Sequence, residues 1–467
     1  MNGSRPRWLS PLRRLAAGSA LSLVLAAAAM PGAQAQSLRD TMTMSYQSNP
    51  TLSAQRQSLR ATNEQIAQAL SGYRPTVEAG ASAGIGWSDV ESEEGGGTET
   101  INPASIGIDI SQPLYSGGST AASVDQAENN IQAARANYVL TEQDVLLNAV
   151  IAYMNVVREQ AILDLAINNE RVLQRQLDAA SDRFEVGEIT RTDVSQAESR
   201  LAGAVAERIE AEGLLRIARA TFERVVGATP GVLQPPEPDL ALPASMEEAV
   251  LMAEAANPSI VAAQFAEEAA QAGIDVVRGE MLPQVSLNGS ISRDYEPSGN
   301  IDRRDNAQIV AQVTVPLYQS GSVSSRVREA RFLAAEQRIR IEESRRAVIE
   351  NAISSWEALE TSRASIQSLA AQIRAAEIAL NGVQQEAQVG SRTILDVLDA
   401  EQELLDARVA LVRAERDETV AAFQLKAAVG GLTARNLALP VDYYEFDPDY
   451  DDARQSWWGT SIDNEAQ

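Results

Sequence analysis

Among its 467 residues the chain has neither cysteine nor histidine. Their absence removes disulfide frameworks, zinc fingers, c-type haem attachment, Cys–His catalytic pairs and serine triads. Aromatic residues make up 4% of the chain, while the 45% hydrophobic fraction is dominated by alanine, leucine and valine. That mixture suits long helices packed along shallow seams better than a thick globular core. Beyond residue 35 no stretch reaches the roughly 18 consecutive apolar residues of a transmembrane helix. Any passage through a membrane must therefore use strands.

Positive charge is also in short supply, and the formal net charge is −25. Four of the basic residues, Arg5, Arg7, Arg13 and Arg14, precede the apolar run Leu15–Met30 and the small-x-small triplet Ala33-Gln34-Ala35. Residues 1–35 read as a secretory signal peptide, and the mature chain is expected to start at Gln36. The Arg13-Arg14 pair alone is a weak sign of twin-arginine export, and the cleavage triplet argues against a retained membrane anchor. Loss of the segment takes the charge to −29. So acidic a chain has no basic face for nucleic acid.

What is present is written twice. Asn49-Pro50 recurs as Asn257-Pro258 and Pro75 as Pro283, at an offset of 208. "PLYSGG" (113–118) recurs as "PLYQSG" (316–321), and Val226-Gly227 as Val429-Gly430, at an offset of 203. "VGEITRTDVSQAESRLAGA" (186–204) matches "VGSRTILDVLDAEQELLDA" (389–407) at 9 of 19 positions, again offset by 203. A tandem duplication follows, with repeats at 36–228 and 245–431. Between them residues 229–244 hold five prolines and read as a linker. The tail, 432–467, has one arginine against eight carboxylates after Pro440 and reads as loosely ordered, with Trp457 and Trp458 as its docking candidates.

Each repeat contains one long stretch free of glycine and proline, residues 119–186 and 322–381. As helices these would span about 100 and 90 Å. Apolar residues at coiled-coil-like spacing (Val124, Ala127, Ile131, Ala134, Tyr138, Val145) predict helical hairpins over 119–227 and 322–429. Gly187 and Gly390 suit the left-handed position at the turns. Strands are expected at about 75–90, 101–115, 283–295 and 305–318, where apolar and polar residues alternate. Val77, Ala79, Ala81, Ala83, Ile85 and Trp87, for example, are interleaved with Glu78, Gly80, Ser82, Gly84 and Gly86. A lipid-out, water-in strand has this pattern, and so has a soluble hairpin on a core. Four strands cannot close a barrel, so subunits must pool them: two give eight, three give twelve with room for water. The small polar faces favour three.

These motifs, above all "RFEVGEITRTDV" and "QVGSRTILDVLDA" together with the duplicated Asn-Pro entries and "QPLYSGG"/"VPLYQSG", resemble the TolC-type outer-membrane efflux and secretion channel family. The likeness spans residues 38–431. It implies a mostly α fold with a small β part, in which a long antiparallel coiled-coil α-barrel continues a trimeric twelve-stranded transmembrane β-barrel, four strands per subunit. It implies a homotrimer in outer-membrane lipid that extends into the periplasm. Its expected partners are a periplasmic membrane-fusion adaptor and an inner-membrane ABC or RND transporter. No cofactor, metal or enzymatic activity is implied. Lacking cysteine, the chain would belong to the unlipidated members, a mild pointer to type I secretion or a shared channel; the cargo stays open.

The resemblance also assigns the tips. Asp396 and Asp399 match the acidic positions that ring the periplasmic constriction. Residues at i and i+3 share a helix face, so three copies would set six carboxylates around one axis, favour cations and raise the pKa of some members. In the first repeat Asp193 stands for Asp396 but Gln196 for Asp399, and Ile189 stands for Arg392. Arg392 is expected to latch Asp193 across neighbouring hairpins. Ala387 stands where family members can carry tyrosine, so the latch lacks an aromatic hydrogen bond. Gly187, Thr190, Gly390 and Thr393 mark the tip turns where the adaptor would dock. A soluble periplasmic adaptor or scaffold is the main alternative, explaining the helices but not the strands. A carboxylate glycosidase lacks an aromatic-lined cleft near Asp396 and Asp399.

Overall fold

A computed structural model describes residues 36–90, 97–236, 240–298 and 301–462. The expected signal peptide lies outside them. The first repeat comprises α1 (Leu38–Ser48), α2 (Pro50–Leu70), β1 (Thr76–Ala83), β2 (Gly86–Val90), β3 (Gly97–Ile101), β4 (Ala104–Ser116), α3 (Ser119–Glu185) and α4 (Arg191–Val226). The second comprises α5 (Met246–Ala256), α6 (Pro258–Gly279), β5 (Gln284–Ser298), β6 (Ile301–Thr314), α7 (Ser322–Gln388) and α8 (Ile394–Ala428), and α9 (Asp447–Gln455) follows.

The duplicated Asn-Pro pairs explain how each repeat begins. Asn49 ends α1 and caps α2, its Oδ1 accepting from Thr51 N–H at 2.9 Å. Proline next to it loses nothing, because the first helical N–H has no partner in any case. The Asn49 amide then donates to the Val225 carbonyl at 3.0 Å, in the last turn of α4. Asn257 repeats both bonds, accepting from Ser259 N–H and donating to the Ala428 carbonyl, each at 2.9 Å. One buried side chain thus closes a helix start and a helix end in each repeat.

β1, β4, β5 and β6 form one antiparallel sheet in that order. Its register sorts residues by face. Val77, Ile110, Gly289 and Ile309 stand in one row, and Ala79, Ile108, Ile291 and Ala307 in the next row on the same face. The opposite face carries rows such as Glu78, Asp109, Ser290 and Gln308. Ile108, Ile291 and Ile309 are exposed, so among the described residues no core covers the apolar face. The first two expected strands are split: β2 and β3 pair as a separate ribbon. Pro103, which lacks an N–H, and Gly84, whose N–H turns to the Pro103 carbonyl at 2.9 Å, interrupt the ladder there. In the second repeat β6 stops at Thr314, two residues before Pro316.

The helices continue this order. α2 leads into β1, β4 into α3, α6 into β5 and β6 into α7, and α2, α3, α6 and α7 pack side by side in that succession. α3 with α4 and α7 with α8 form the expected long hairpins. The main core lies where α1 and α4 meet α3, around Tyr46, Leu52, Leu146, Tyr153 and Phe222. The linker, where described, holds no helix and one bridge, between Gln36 and Leu233.

The tail corrects the expectation of loose order. Leu432, Ala434 and Leu439 are buried in the main core, and the Tyr444 and Phe446 rings lie 5.2 and 5.6 Å from Tyr138. α9 lies on α2 and α3, where Arg60 receives Asp449 at 3.0 Å and Arg135 receives Asp447 at 3.2 Å. The tail's acidity is matched by arginines elsewhere in the chain, which its own composition does not show.

Candidate functional site: the hairpin tips

Both tips are built alike. Gly187 and Gly390 adopt φ of +78° and +80°, a region closed to most side chains, which lets each chain reverse within five residues. Thr190 and Thr393 then cap α4 and α8. Thr393 Oγ1 accepts from Asp396 N–H at 3.2 Å, and Asp396 Oδ2 accepts from Thr393 N–H at 2.9 Å. Thr190 and Asp193 form the same reciprocal pair. It is a capping box with aspartate in the place of the usual glutamate.

Asp193 and Asp396 therefore have a local task that spacing alone does not reveal. Hydrogen bonds from the threonine N–H and hydroxyl hold both carboxyls below the ordinary aspartate value. Within one protomer Asp396 thus moves opposite to the rise expected of crowded ring carboxylates. Asp399, three residues along α8, takes a different partner: Arg200 of α4 donates to it. Leu398 packs beside this pair against Leu173 and Ala204, joining the two hairpins with apolar contact.

Arg392 donates to Glu386 of its own hairpin at 2.9 Å. The first tip carries a similar clasp with the charges exchanged, Arg183 donating to Glu188 at 3.1 Å. Asp193 and Arg392 are thus not brought together within a protomer; each has a partner in its own hairpin. Arg200 and Glu386, like Arg183 and Glu188, are tip residues that sequence reasoning missed. A signal for Arg200 existed: its counterpart at the repeat offset is Glu403, while that of Asp399 is Gln196, so charge is reversed at one position and lost at the other.

At the other end of the molecule, the polar face of the sheet forms a groove lined by Thr76, Glu78, Asp109, Asn288, Ser290 and Gln308. Glu78 and Asp109 stand opposite each other there. Among the described residues no cluster has the make-up of a metal site and no helix is long and apolar enough to cross a membrane. What remains is an acidic tip, a long helical body and a two-faced sheet.

Comparison with known proteins agrees. The family model for outer membrane efflux protein matches residues 42–228 and 250–431, one segment per repeat. The outer membrane efflux protein BepC of Brucella suis is 33% identical over 428 residues, covering 91% of this chain and 92% of BepC. TolC of Escherichia coli is 24% identical, covering 86% and 84% of the two chains. In fold, the CmeC outer membrane channel of Campylobacter jejuni superposes with a TM-score of 0.77 at 15% identity, over 90% of this chain and 89% of that one. These relatives support a channel over the soluble adaptor, which leaves the sheet unexplained. The chain belongs to the outer membrane efflux protein family, whose members are outer-membrane channels that reach into the periplasm.

Proposed function

We propose that three copies of the chain form the exit duct of a tripartite export system. The observation that carries this reading is the four-stranded sheet with two open edges, β1 and β6, and an exposed apolar face. In lipid each unpaired edge group costs several kcal/mol, and pairing β6 of one copy with β1 of the next removes that cost. Three sheets close a twelve-stranded barrel with the Glu78–Asp109 face inside. The succession α2-α3-α6-α7 beneath the strands extends the wall as a helical conduit, and the hairpins carry it to a periplasmic tip.

Asp396 and Asp399 then ring the axis as a cation-favouring constriction. The Arg392–Asp193 latch becomes a contact between subunits, formed at the expense of the clasp with Glu386. The tip turns at Gly187, Thr190, Gly390 and Thr393 meet a membrane-fusion adaptor, which couples the duct to an inner-membrane ABC or RND transporter. That transporter selects the cargo, and the channel supplies the path.

The absence of native cysteine permits a direct test. Paired cysteines introduced along the β1 and β6 edges should give disulfide-linked trimers in detergent and ion-conducting pores in planar bilayers. A water-soluble monomer that never conducts would end this reading.

A further inference from the structure

Beyond α9 the chain travels to the base of the sheet. Arg74, separated from β1 by Pro75, meets it there twice. Its guanidinium donates to the Ser456 carbonyl at 2.7 Å and lies over the Trp457 ring, 4.5 Å from the centroid. Trp457 and Trp458 are nonetheless 70% and 92% exposed. In a chain that is 4% aromatic, two adjacent exposed indoles form a patch that needs a partner.

Their level in the molecule identifies it. Arg74 lies three residues before Val77, a member of an apolar row that crosses all four strands, or about 10 Å along the strand. Gln112 marks the same boundary, its amide donating to the Tyr73 carbonyl at 3.0 Å. Tyr73, Leu114 and Tyr115 are exposed at this level too. The tail thus delivers two indoles to the rim where the apolar face of the sheet ends on its helical side. Tryptophan and tyrosine concentrate at this depth in membrane barrels, because an indole combines an apolar body with an N–H that seeks the headgroup layer.

We propose that residues 456–458 are an interfacial anchor: Trp457 and Trp458 enter the phospholipid headgroup layer of the periplasmic leaflet, and Arg74 sets their height. The proposal rests on the membrane reading of the sheet. Through the Arg60–Asp449 and Glu128–Arg454 pairs, the anchor also ties the upper helices to the bilayer.

After residue 35 the chain's tryptophans are Trp87, Trp356, Trp457 and Trp458, so fluorescence can isolate the tail. Trp87→Phe with Trp356→Phe leaves the tail pair; replacing all four by Phe and adding Ile309→Trp leaves one indole on the exposed apolar face of the sheet. Each variant is reconstituted into phosphatidylcholine vesicles brominated near the ester end of the acyl chains. The tail pair is expected to lose about half its emission there, and Arg74→Gln to reduce that loss about twofold while quenching of the Ile309→Trp indole stays unchanged. Tail emission that ignores bromine but yields to iodide would place the indoles in water and overturn the anchor. Emission that ignores both would place them against another subunit and overturn it equally. Unquenched emission from Ile309→Trp would instead remove the membrane reading of the sheet, and the anchor with it.

Discussion

Arg200 of the first repeat donates to the carboxylate of Asp399 in the second, tying the two hairpins of a protomer together near their tips. At the repeat offset the two positions are Glu403 and Gln196, so the pair occurs once per protomer. Both side chains are half-exposed, and such a pair contributes about 0.2–1 kcal/mol after solvent screening. Its larger effect is on charge, since it places a cation beside one of the two carboxylates proposed to ring the axis. Arg200→Gln should therefore strengthen cation selectivity and block by multivalent cations severalfold in planar bilayers. Unchanged reversal potentials would show that Asp399 does not face the conduction path.

The clasp between Arg392 and Glu386 makes a second prediction with opposing signs. If Arg392 must leave Glu386 to latch Asp193 of a neighbour, Glu386→Gln frees it and should tighten the closed state. Arg392→Ser should loosen it. Single-channel conductance should fall severalfold in the first variant and rise severalfold in the second. Movement in the same direction in both would mean that the clasp within the hairpin, not a latch between subunits, sets the gate.

The duplicated architecture is legible in the sequence because its signals are periodic. Alternation over 76–83 and 104–110 fixes the faces of the strands, long spans without glycine or proline fix α3 and α7, and Gly187 and Gly390 fix the turns. Pro103 also announces the split of the first hairpin, although alternation runs through it from Val77 to Trp87. The tip contacts are less legible. Asp396 and Asp193 read as free acids by spacing, yet Thr393 and Thr190, three residues earlier, already spell a capping box. The tail is the least legible part, because its order depends on Arg60, Arg135 and Tyr138, hundreds of residues away. Composition describes what a segment carries, whereas docking depends on what receives it.

The capping boxes should make tip stability depend on pH. Hydrogen bonds from Thr393 hold the Asp396 pKa below 3.8. The stabilisation is therefore complete above the unfolded value and is lost as pH falls through the lower folded value. Amide exchange at residues 391–397 should accelerate on acidification below about pH 4. Asp396→Asn should abolish that dependence. Thr393→Ala should accelerate exchange at every pH, by about 1 kcal/mol of local opening. Because Asp396 also closes the cap, Asp399→Ala is the cleaner probe of ring charge. A tip whose exchange follows only intrinsic chemistry across this range would show that the cap contributes nothing.

Glu142 couples the core to the tail and gives a prediction of the opposite sign. It is buried on α3, and its Oε1 accepts from Ala434 N–H at 2.6 Å. Burial raises its pKa, and the Ala434 hydrogen bond offsets part of the rise. A carboxyl raised on folding favours the protonated native state, so ionisation works against folding as pH rises above the ordinary value of 4.5. Glu142→Gln keeps an acceptor for Ala434 without a charge, and should raise the melting temperature at pH 7 while leaving it nearly unchanged at pH 4. Glu142→Leu strands the Ala434 N–H in the core and should cost about 1–3 kcal/mol. Limited proteolysis after residue 431 separates the two, since Leu should expose the tail and Gln should keep it protected. Equal protection in both variants would mean that the apolar packing of Leu432 and Leu439 holds the tail without help from Glu142.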